Sequence, residues 1–560
     1  MATITIDGKK FDVDGRLTII QAALDQGIPV PHFCWHPKLT VAGNCRMCLV
    51  EVEKMPKLVI ACATQVADGM VVRTNSEKVV NAREAVLEFL LINHPLDCPI
   101  CDEAGECKLQ DYAYAYSSGV SRFEFEKVRK PKRVELGSHV MLDVERCIMC
   151  SRCVRFCEEI AKKPQLTFTQ RGDHVVLTTF PGETLDNPYS MNTIDLCPVG
   201  ALTSREFRFR ARVWEMSSTD TICPGCARGC NAKMWVRNNE ILRLTPRQNT
   251  DVNEEWMCDY GRLSTFPPVN AAGRVKAPLV RKEGLLVEVG WDEAVSKVAS
   301  ELKSFKKSEI AGFGSAFATN EDNYLFAKLM RHLGVTNVDF LPHVVSGDED
   351  TILIRADKTP NSLGALELGI KPDRGGLTWE GILKGMKAGS IKALYAIDDD
   401  IGAIPGLAEL LPRLDFIVVH ASNENETTKV ADVVLSSSTF AERHGTFTNF
   451  QGRVQRIRPA VATAEQDRAL DGFSMSRLDK FGAPNDRWTR GVKRDSRPTW
   501  RVLASVAGAL GAKWKYAAAE DVFNEIARTV PSFKGLSYIR IGSRGAMIQK
   551  KSEVVSAGKI

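Results

Sequence analysis

Residues 94–107 read HPLDCPICDEAGEC, and what this run binds decides how the rest of the chain is organised. It carries Cys98, Cys101 and Cys107, one thiolate fewer than a 4Fe-4S cubane requires. His94 stands at the end of a helical pattern, four positions before Cys98. Imidazole substitutes for thiolate in established cluster types, so His94 is assigned as the fourth ligand. Asp97 and Asp102 are the fallback, although carboxylate is a harder and less suitable donor. A neutral imidazole in place of a thiolate makes such a cluster less negative and raises its potential.

Upstream of this run, Val79, Ala82, Val86, Phe89 and Leu90 mark a helix over 76–93, ended by His94-Pro95. The chain opens with apolar-polar alternation through Ile4 and Ile6, a turn at Asp7-Gly8, and resumption through Phe11 and Val13, which is a hairpin. Thr18 then caps a short helix (Ile19, Ile20, Ala23, Leu24) that stops at Gly27. With strands over 49–53, 58–61 and 71–74, these elements predict a small β-grasp sheet with helix cover. Within it lie Cys34, Cys45, Cys48 and Cys62, with gaps of ten, two and thirteen residues. A loop-borne Cys-x2-Cys with distant partners suits a 2Fe-2S centre. Four thiolates also suit zinc, and the β-grasp setting favours iron-sulfur.

Downstream, residues 147–157 read CIMCSRCVRFC, followed later by Cys197-Pro198. In two-cluster ferredoxins the cysteine after the run of three serves a second cluster. Residues 158–196 contain no cysteine to build one. Cys147, Cys150, Cys153 and Cys197 are therefore expected to hold one 4Fe-4S cluster, with Cys157 a buried, non-ligating thiol. Cys223, Cys226, Cys230 and Cys258 form a fourth set, suited to another 4Fe-4S cluster, with structural zinc the alternative.

All sixteen cysteines lie in the first 258 of 560 residues. A chain of this length suggests about four domains and can bury a large core without disulfides. Its N-terminus lacks a cationic and apolar leader, so a reducing compartment is expected. No apolar run reaches the roughly 18 residues needed to cross a bilayer; membrane contact is expected only through partners. A formal charge of +5 is near balance and argues against nucleic-acid binding. Two basic stretches, 127–133 and the set Arg487, Arg490, Lys493, Arg494, Arg497 and Arg501, read first as solvated loops and second as docking surfaces for an acidic partner.

Beyond residue 270 helical segments (291–305, 320–333, 379–388) alternate with short apolar runs (310–313, 393–397, 416–419), the pattern of a doubly wound α/β domain. Gly312-Phe313-Gly314 follows a strand, but Phe317 stands where a dinucleotide fingerprint needs its third glycine. No NAD or flavin site is apparent, so oxidant and reductant chemistry is assigned to other subunits. Residues 470–499 read as a surface loop, followed by helices near 499–510 and 518–529.

The order of the four groups, with His94-x3-Cys98-x2-Cys101-x5-Cys107 among them, resembles the large iron-sulfur subunit of the peripheral arm of bacterial NADH-quinone oxidoreductase, respiratory complex I. The later segment with Glu442, Gly445-Thr446, Asn449 and Gly452-Arg453-x-Gln455 resembles the cofactor-cradling part of molybdopterin oxidoreductases. The fold implied is α+β and α/β multidomain. A β-grasp 2Fe-2S domain (1–78) leads to a 4Fe-4S domain with one histidine and three cysteine ligands (79–137) and a ferredoxin-like 4Fe-4S domain (138–215). A 4Fe-4S domain of molybdopterin-oxidoreductase type (216–272), a degenerate α/β domain (273–535) and a basic tail (536–560) complete the chain. The resemblance implies one 2Fe-2S and three 4Fe-4S clusters. Electrons would come from a flavin-bearing NADH-oxidising subunit, pass through the first, third and second groups, and go on to other peripheral-arm iron-sulfur subunits. The fourth centre would lie off that path. The location implied is peripheral, on the cytoplasmic side of a bacterial inner membrane.

No molybdopterin is expected. Cysteine is absent after Cys258, and Cys258-Asp259-Tyr260-Gly261-Arg262 lacks the lysine that active members place beside the cluster. The alternative is an electron-transfer subunit of a formate dehydrogenase or an NAD-reducing hydrogenase complex.

Overall fold

The computed structural model describes residues 1–117, 119–373, 375–465 and 491–549. They form two compact units, Met1–Glu215 and Met216–Ile560.

The first unit opens with a five-stranded sheet. Strands β1 (Ala2–Ile6) and β2 (Lys9–Val13) pair antiparallel, and β3 (Leu49–Val52), β4 (Val59–Ile60) and β5 (Val71–Arg73) complete the order β2-β1-β5-β3-β4. The hairpin turns on Asp7 and Gly8 at φ +47° and +83°, the doubly left-handed turn that matches the twist of paired strands. Helix α1 (Ile19–Asp25) starts at a Thr18/Gln21 capping box and buries Ile19, Ile20, Ala22 and Ala23 on the sheet. Cys48 and Cys62 sit in that same apolar core, so the ligand loops are part of the packing.

Helix α2 (Glu77–Leu91) forms where its periodicity predicts, but it is rotated. The buried face is Val79, Arg83 and Leu87, while Phe89 is 76% exposed. Arg83 wins the inner position because its guanidinium finds Leu49 O at 3.3 Å and Asn75 Oδ1 at 3.2 Å, and lies 5.2 Å from the Tyr116 ring centroid. Tyr116 closes α3 (Lys108–Tyr116). Two further helices, α4 (Arg152–Glu159) and α5 (Asn192–Leu196), pack on each other in the ferredoxin-like part. The basic linker over 127–133 is tied down. Lys127 Nζ donates to Leu91 O and Ile92 O at the end of α2 (2.8 and 2.7 Å), and Lys132 pairs with Asp97 and Glu145, each at 2.7 Å.

The second unit begins with a three-stranded antiparallel sheet (Ser217–Ile222, Asn231–Arg237, Glu240–Pro246). It continues into a seven-stranded sheet whose middle is parallel: Val433–Ser436, Phe416–Ala421, Ala393–Ile397, Ile310–Phe313 and Val338–Asp339. Alternate residues feed two cores. Tyr395, Ile397 and Val418 face helices Asn320–Leu333, Thr499–Ala509 and Ala519–Thr529, while Leu394, Ala396 and Ile417 face helix Trp379–Ala388.

The basic tail requires correction. Tyr538–Ile541 is a buried helical turn, and Ala546–Met547 adds a strand beside Arg453–Ile457. Strand pairing and burial of Tyr538 and Ile541 therefore integrate the chain through residue 549; residues 550–560 lie outside the described residues. So does most of the loop read over 470–499, with Arg487 and Arg490. Of the remaining basic set, Arg497 lies 4.5 Å from the Trp291 ring centroid and Arg501 pairs with Glu465 at 2.9 Å.

Candidate metal centres

The first group surrounds the loop between α1 and β3, with Cys62 arriving just after β4. Its thiols form two hydrogen-bonded couples, Cys34 with Cys45 and Cys48 with Cys62. The Cys34 amide also donates to Cys45 Sγ at 3.4 Å. The hydrogen bond from Cys45 draws the Cys34 thiol down to about 5, and that from Cys62 draws Cys48 down to about 7; their partners are pushed up. Two sulfur couples match a binuclear centre, in which each iron takes two thiolates. Zinc would need four sulfurs about 2.3 Å from one ion. Among the described residues no three His, Cys, Asp or Glu converge in that way.

The third group lines one pocket. Cys147, Cys150, Cys153 and Cys197 meet there with Phe168, Leu177, Val199, Ala201 and Leu202 as apolar wall. Cys153 projects from α4, while Cys197 caps the end of α5. Burial drives the Cys147 thiol up to about 12 and Cys153 and Cys197 higher still. Iron must therefore displace protons as it enters. Arg152 also lines the pocket, and its buried Nε has no protein partner. Four soft donors, a dry wall and an orphaned N–H fit a cubane whose sulfurs accept hydrogen bonds. Cys157 is buried on α4 and does not line this pocket.

In the second group His94 follows the end of α2. Burial, then the charges of Arg146 and Lys127, lower its imidazole to about 4, so at neutral pH it is in the neutral form a ligand needs. Arg146 acts on Cys101 as well. Both fallback carboxylates are engaged elsewhere. Asp97 Oδ2 receives Lys132 Nζ at 2.7 Å and Arg146 Nη2 at 3.0 Å, and Asp102 accepts the Phe209 amide at 3.0 Å. Cys98 is exposed, beside a cavity shared with Tyr114 and Trp214, which are 96% and 65% exposed.

These three groups adjoin. Arg155 Nη2 donates to Cys34 O at 2.5 Å and to Cys150 O at 3.5 Å, joining first to third. On the other side, Gly200, three residues past Cys197, lies so close to Cys101 that a Cβ there would stand 2.2 Å from Cys101 Sγ. Lys108 N donates to Pro198 O at 3.0 Å across the same seam. Sequence reasoning missed Arg152, Arg155 and Gly200; the arginines interleaved with the cysteines of 147–157 were the available signal.

The fourth group belongs to the second unit. Cys223 and Cys230 pair through backbone (N to O 2.8 Å), and Cys258 caps helix Asp259–Leu263, its Sγ accepting from Gly261 N at 3.3 Å. A Cβ at Gly261 would stand 2.8 Å from Cys223 Sγ and 3.3 Å from Cys258 Sγ, so glycine lets both sulfurs approach the helix start. Burial raises Cys223 and Cys230 far above the ordinary thiol range and Cys258 to about 11.

A β-grasp domain and three further cysteine-bearing modules before a molybdopterin-oxidoreductase-type α/β domain define a multi-centre iron-sulfur protein. Family models agree segment by segment. A 2Fe-2S iron-sulfur cluster binding domain matches residues 1–77, the NADH-ubiquinone oxidoreductase-G iron-sulfur binding region 83–122, and the ferredoxin-like domain of NADH-quinone oxidoreductase subunit 3 137–203. An NDSU1/NuoG-like 4Fe-4S domain matches 216–265, and molybdopterin oxidoreductase matches 274–359 and 356–469.

The chain is homologous to the G-type iron-sulfur subunits of NADH-quinone oxidoreductase. The G-type subunit from Rickettsia bellii is 42% identical over 337 residues, covering 60% of this chain and 49% of its own. The mitochondrial NADH-ubiquinone oxidoreductase 78 kDa subunit of Neurospora crassa is 46% identical over 340 residues, 60% of this chain and 45% of its own. The chain thus spans about half the length of the curated relatives it matches. One solved structure, an NAD+-reducing nickel-iron hydrogenase in the H2-reduced state, is 30% identical, covers 38% of this chain and 91% of that chain, and has a TM-score of 0.34.

Proposed function

We propose that this chain is an electron-relay subunit of the peripheral arm of NADH-quinone oxidoreductase, with no complete active site of its own. Cys34, Cys45, Cys48 and Cys62 hold a 2Fe-2S cluster. Three 4Fe-4S clusters are held by Cys147, Cys150, Cys153 and Cys197, by His94, Cys98, Cys101 and Cys107, and by Cys223, Cys226, Cys230 and Cys258. The carrying observation is the middle position of the third group, which touches the first through Arg155 and the second through Gly200. Electrons from a flavin-bearing NADH-oxidising partner enter at the first centre, cross the third and leave from the second.

The exposed Cys98 edge, framed by exposed Tyr114, Trp214, Ile100 and Leu96, supports an exit covered by the next iron-sulfur subunit. The fourth centre, in the other unit, stands off this path, and the molybdopterin-type domain acts as scaffold without a pterin. Among the described residues no helix is long and apolar enough to cross a membrane, which fits attachment through the complex, on the cytoplasmic face of a bacterial inner membrane. Iron analysis and EPR on anaerobically reconstituted protein test the reading. About fourteen irons and no molybdenum are expected; bound molybdenum or intrinsic formate oxidation would overturn it.

A further inference from the structure

The contact between the first and third centres is built from α4, and it is unusually cationic. Arg155 is 9% exposed, and its fork spreads over three carbonyls: Thr40 O, Cys34 O and Cys150 O. Its Nε is held by Ser151 Oγ at 3.2 Å, so the fork is fixed from its own helix. One position before Cys153, Arg152 reaches the other way. Its Nη2 donates to Trp35 O at 2.5 Å and its Nη1 to Leu196 O at 3.3 Å, next to Cys197. Two further ties close the seam, Thr40 N to Glu159 Oε2 at 2.8 Å and Asn44 Nδ2 to Met149 O at 3.2 Å.

We propose that Arg152 and Arg155 form a cationic bridge that fixes the first and third centres against each other, and that the partnerless Arg152 Nε–H, lining the Cys147–Cys197 pocket, donates to the third centre and raises its potential. The proposal rests on the relay reading. Three features carry it. The carbonyls that these arginines hold belong to ligand loops on both sides of the seam. A buried N–H left without a partner costs about 1–3 kcal/mol, and a cluster sulfur in that pocket removes the cost. A positive charge beside an increasingly negative cluster favours the reduced form, and N–H donation to cluster sulfur acts in the same direction. In the step this bridge serves, one electron leaves the reduced 2Fe-2S centre, returning it to the oxidised state, and enters the 4Fe-4S centre. No proton or bond is exchanged. Arginine suits both tasks, since a planar fork with five donors spans several carbonyls while keeping its charge.

The test uses the full, cluster-loaded chain, with potentials read by EPR redox titration. Arg152→Gln is expected to shift the third centre's reduction equilibrium about tenfold towards oxidised, about 59 mV for one electron, while the Cys223–Cys258 centre in the same sample stays put. Arg152→Lys, which keeps the charge, should fall between Gln and native. Arg155→Gln should keep its iron but slow electron equilibration between the first and third centres at least tenfold. An unchanged third-centre potential in Arg152→Gln overturns the proposal, as does loss of the third cluster from both Arg152 variants, which would make the residue merely structural. If native protein shows no exchange between those centres, the relay reading itself falls.

Discussion

Replacing Gly200 by alanine tests the seam between the second and third centres. The backbone at Gly200 is not left-handed, so alanine is admissible on conformational grounds and the effect is steric. Its Cβ would stand 2.2 Å from Cys101 Sγ and 2.9 Å from Glu103 Cβ. Restoring even a 3.4 Å contact requires Cys101 Sγ or the Gly200 backbone to move by about 1.2 Å. Metal-ligand distances tolerate about 0.2 Å. The neighbourhood cannot yield freely, because the Cys101 carbonyl is held by Arg212 and the chain just before Gly200 is held by Lys108 on Pro198. Gly200→Ala should therefore lose the second cluster, about four irons of about fourteen, with its EPR signal. The first-group signal should remain, and overpacking should cost about 1–3 kcal/mol in a denaturant melt. A Gly200→Ala protein with full iron content and an unshifted second-centre signal would refute the juxtaposition of Cys101 with the chain after Cys197.

Four further outcomes are expected. His94→Cys adds a thiolate to the second centre and should lower its potential in a redox titration, leaving the other centres unmoved. Cys157→Ala should keep full iron, whereas Cys197→Ala should lose about four, both read by metal analysis. Arg274 and Glu442 pair at 2.7 Å with side chains 0% and 1% exposed, so Arg274→Met should cost about 3–5 kcal/mol in urea unfolding of the second unit. Burial pushes the Glu321 carboxyl from 4.5 up to about 7. Between those values the folded chain binds the proton that the unfolded chain has released. Stability must therefore fall as pH rises from 4.5 through 7 and level off above, by about 3 kcal/mol in all. Glu321→Gln should erase that slope in melts compared at pH 5 and pH 8.

Local signals were legible wherever the pattern is short-range. The Asp7-Gly8 turn, the Thr18 cap and the helices at Asn320–Leu333 and Trp379–Ala388 form where spacing and capping predict. Cysteine grouping likewise anticipated the four residues that share the third pocket, because ligand spacing is written into the chain. The misreadings share a cause in contacts from far along the sequence. Counting apolar residues put Phe89 inward on α2. The structure instead buries Arg83, satisfied by carbonyl and amide oxygens of β3 and the preceding loop. The tail looked featureless because its strand gains order only from residues 453 and 454, almost a hundred positions earlier. Arg155 and Gly200 were invisible for the same reason: neither belongs to a ligand motif, and each acts across a seam that spacing does not encode.

The molybdopterin-like motif is explained by the same kind of long-range duty. Glu442 holds Arg274, and Thr446 donates its amide to Glu321 at 2.8 Å. Asn449 closes its own turn onto Arg453 N at 2.9 Å and reaches Arg228 O at 3.2 Å. Gln455 Nε2 donates to Gly229 O at 2.9 Å, while its Oε1 accepts Asn231 Nδ2 at 2.7 Å. Arg228, Gly229 and Asn231 flank Cys230, so Asn449 and Gln455 grip the loop that carries the fourth group. Gly229 is left-handed at φ +62°, and a Cβ there would come within 2.9 Å of Gln455 Nε2, which shows how closely the two segments are fitted. Removing either amide would strand buried carbonyl and amide groups beside a cluster ligand, at about 1–3 kcal/mol for each unsatisfied partner. Retention of these residues therefore follows from support of the Cys226–Cys230 loop, and the motif by itself carries no requirement for a bound pterin.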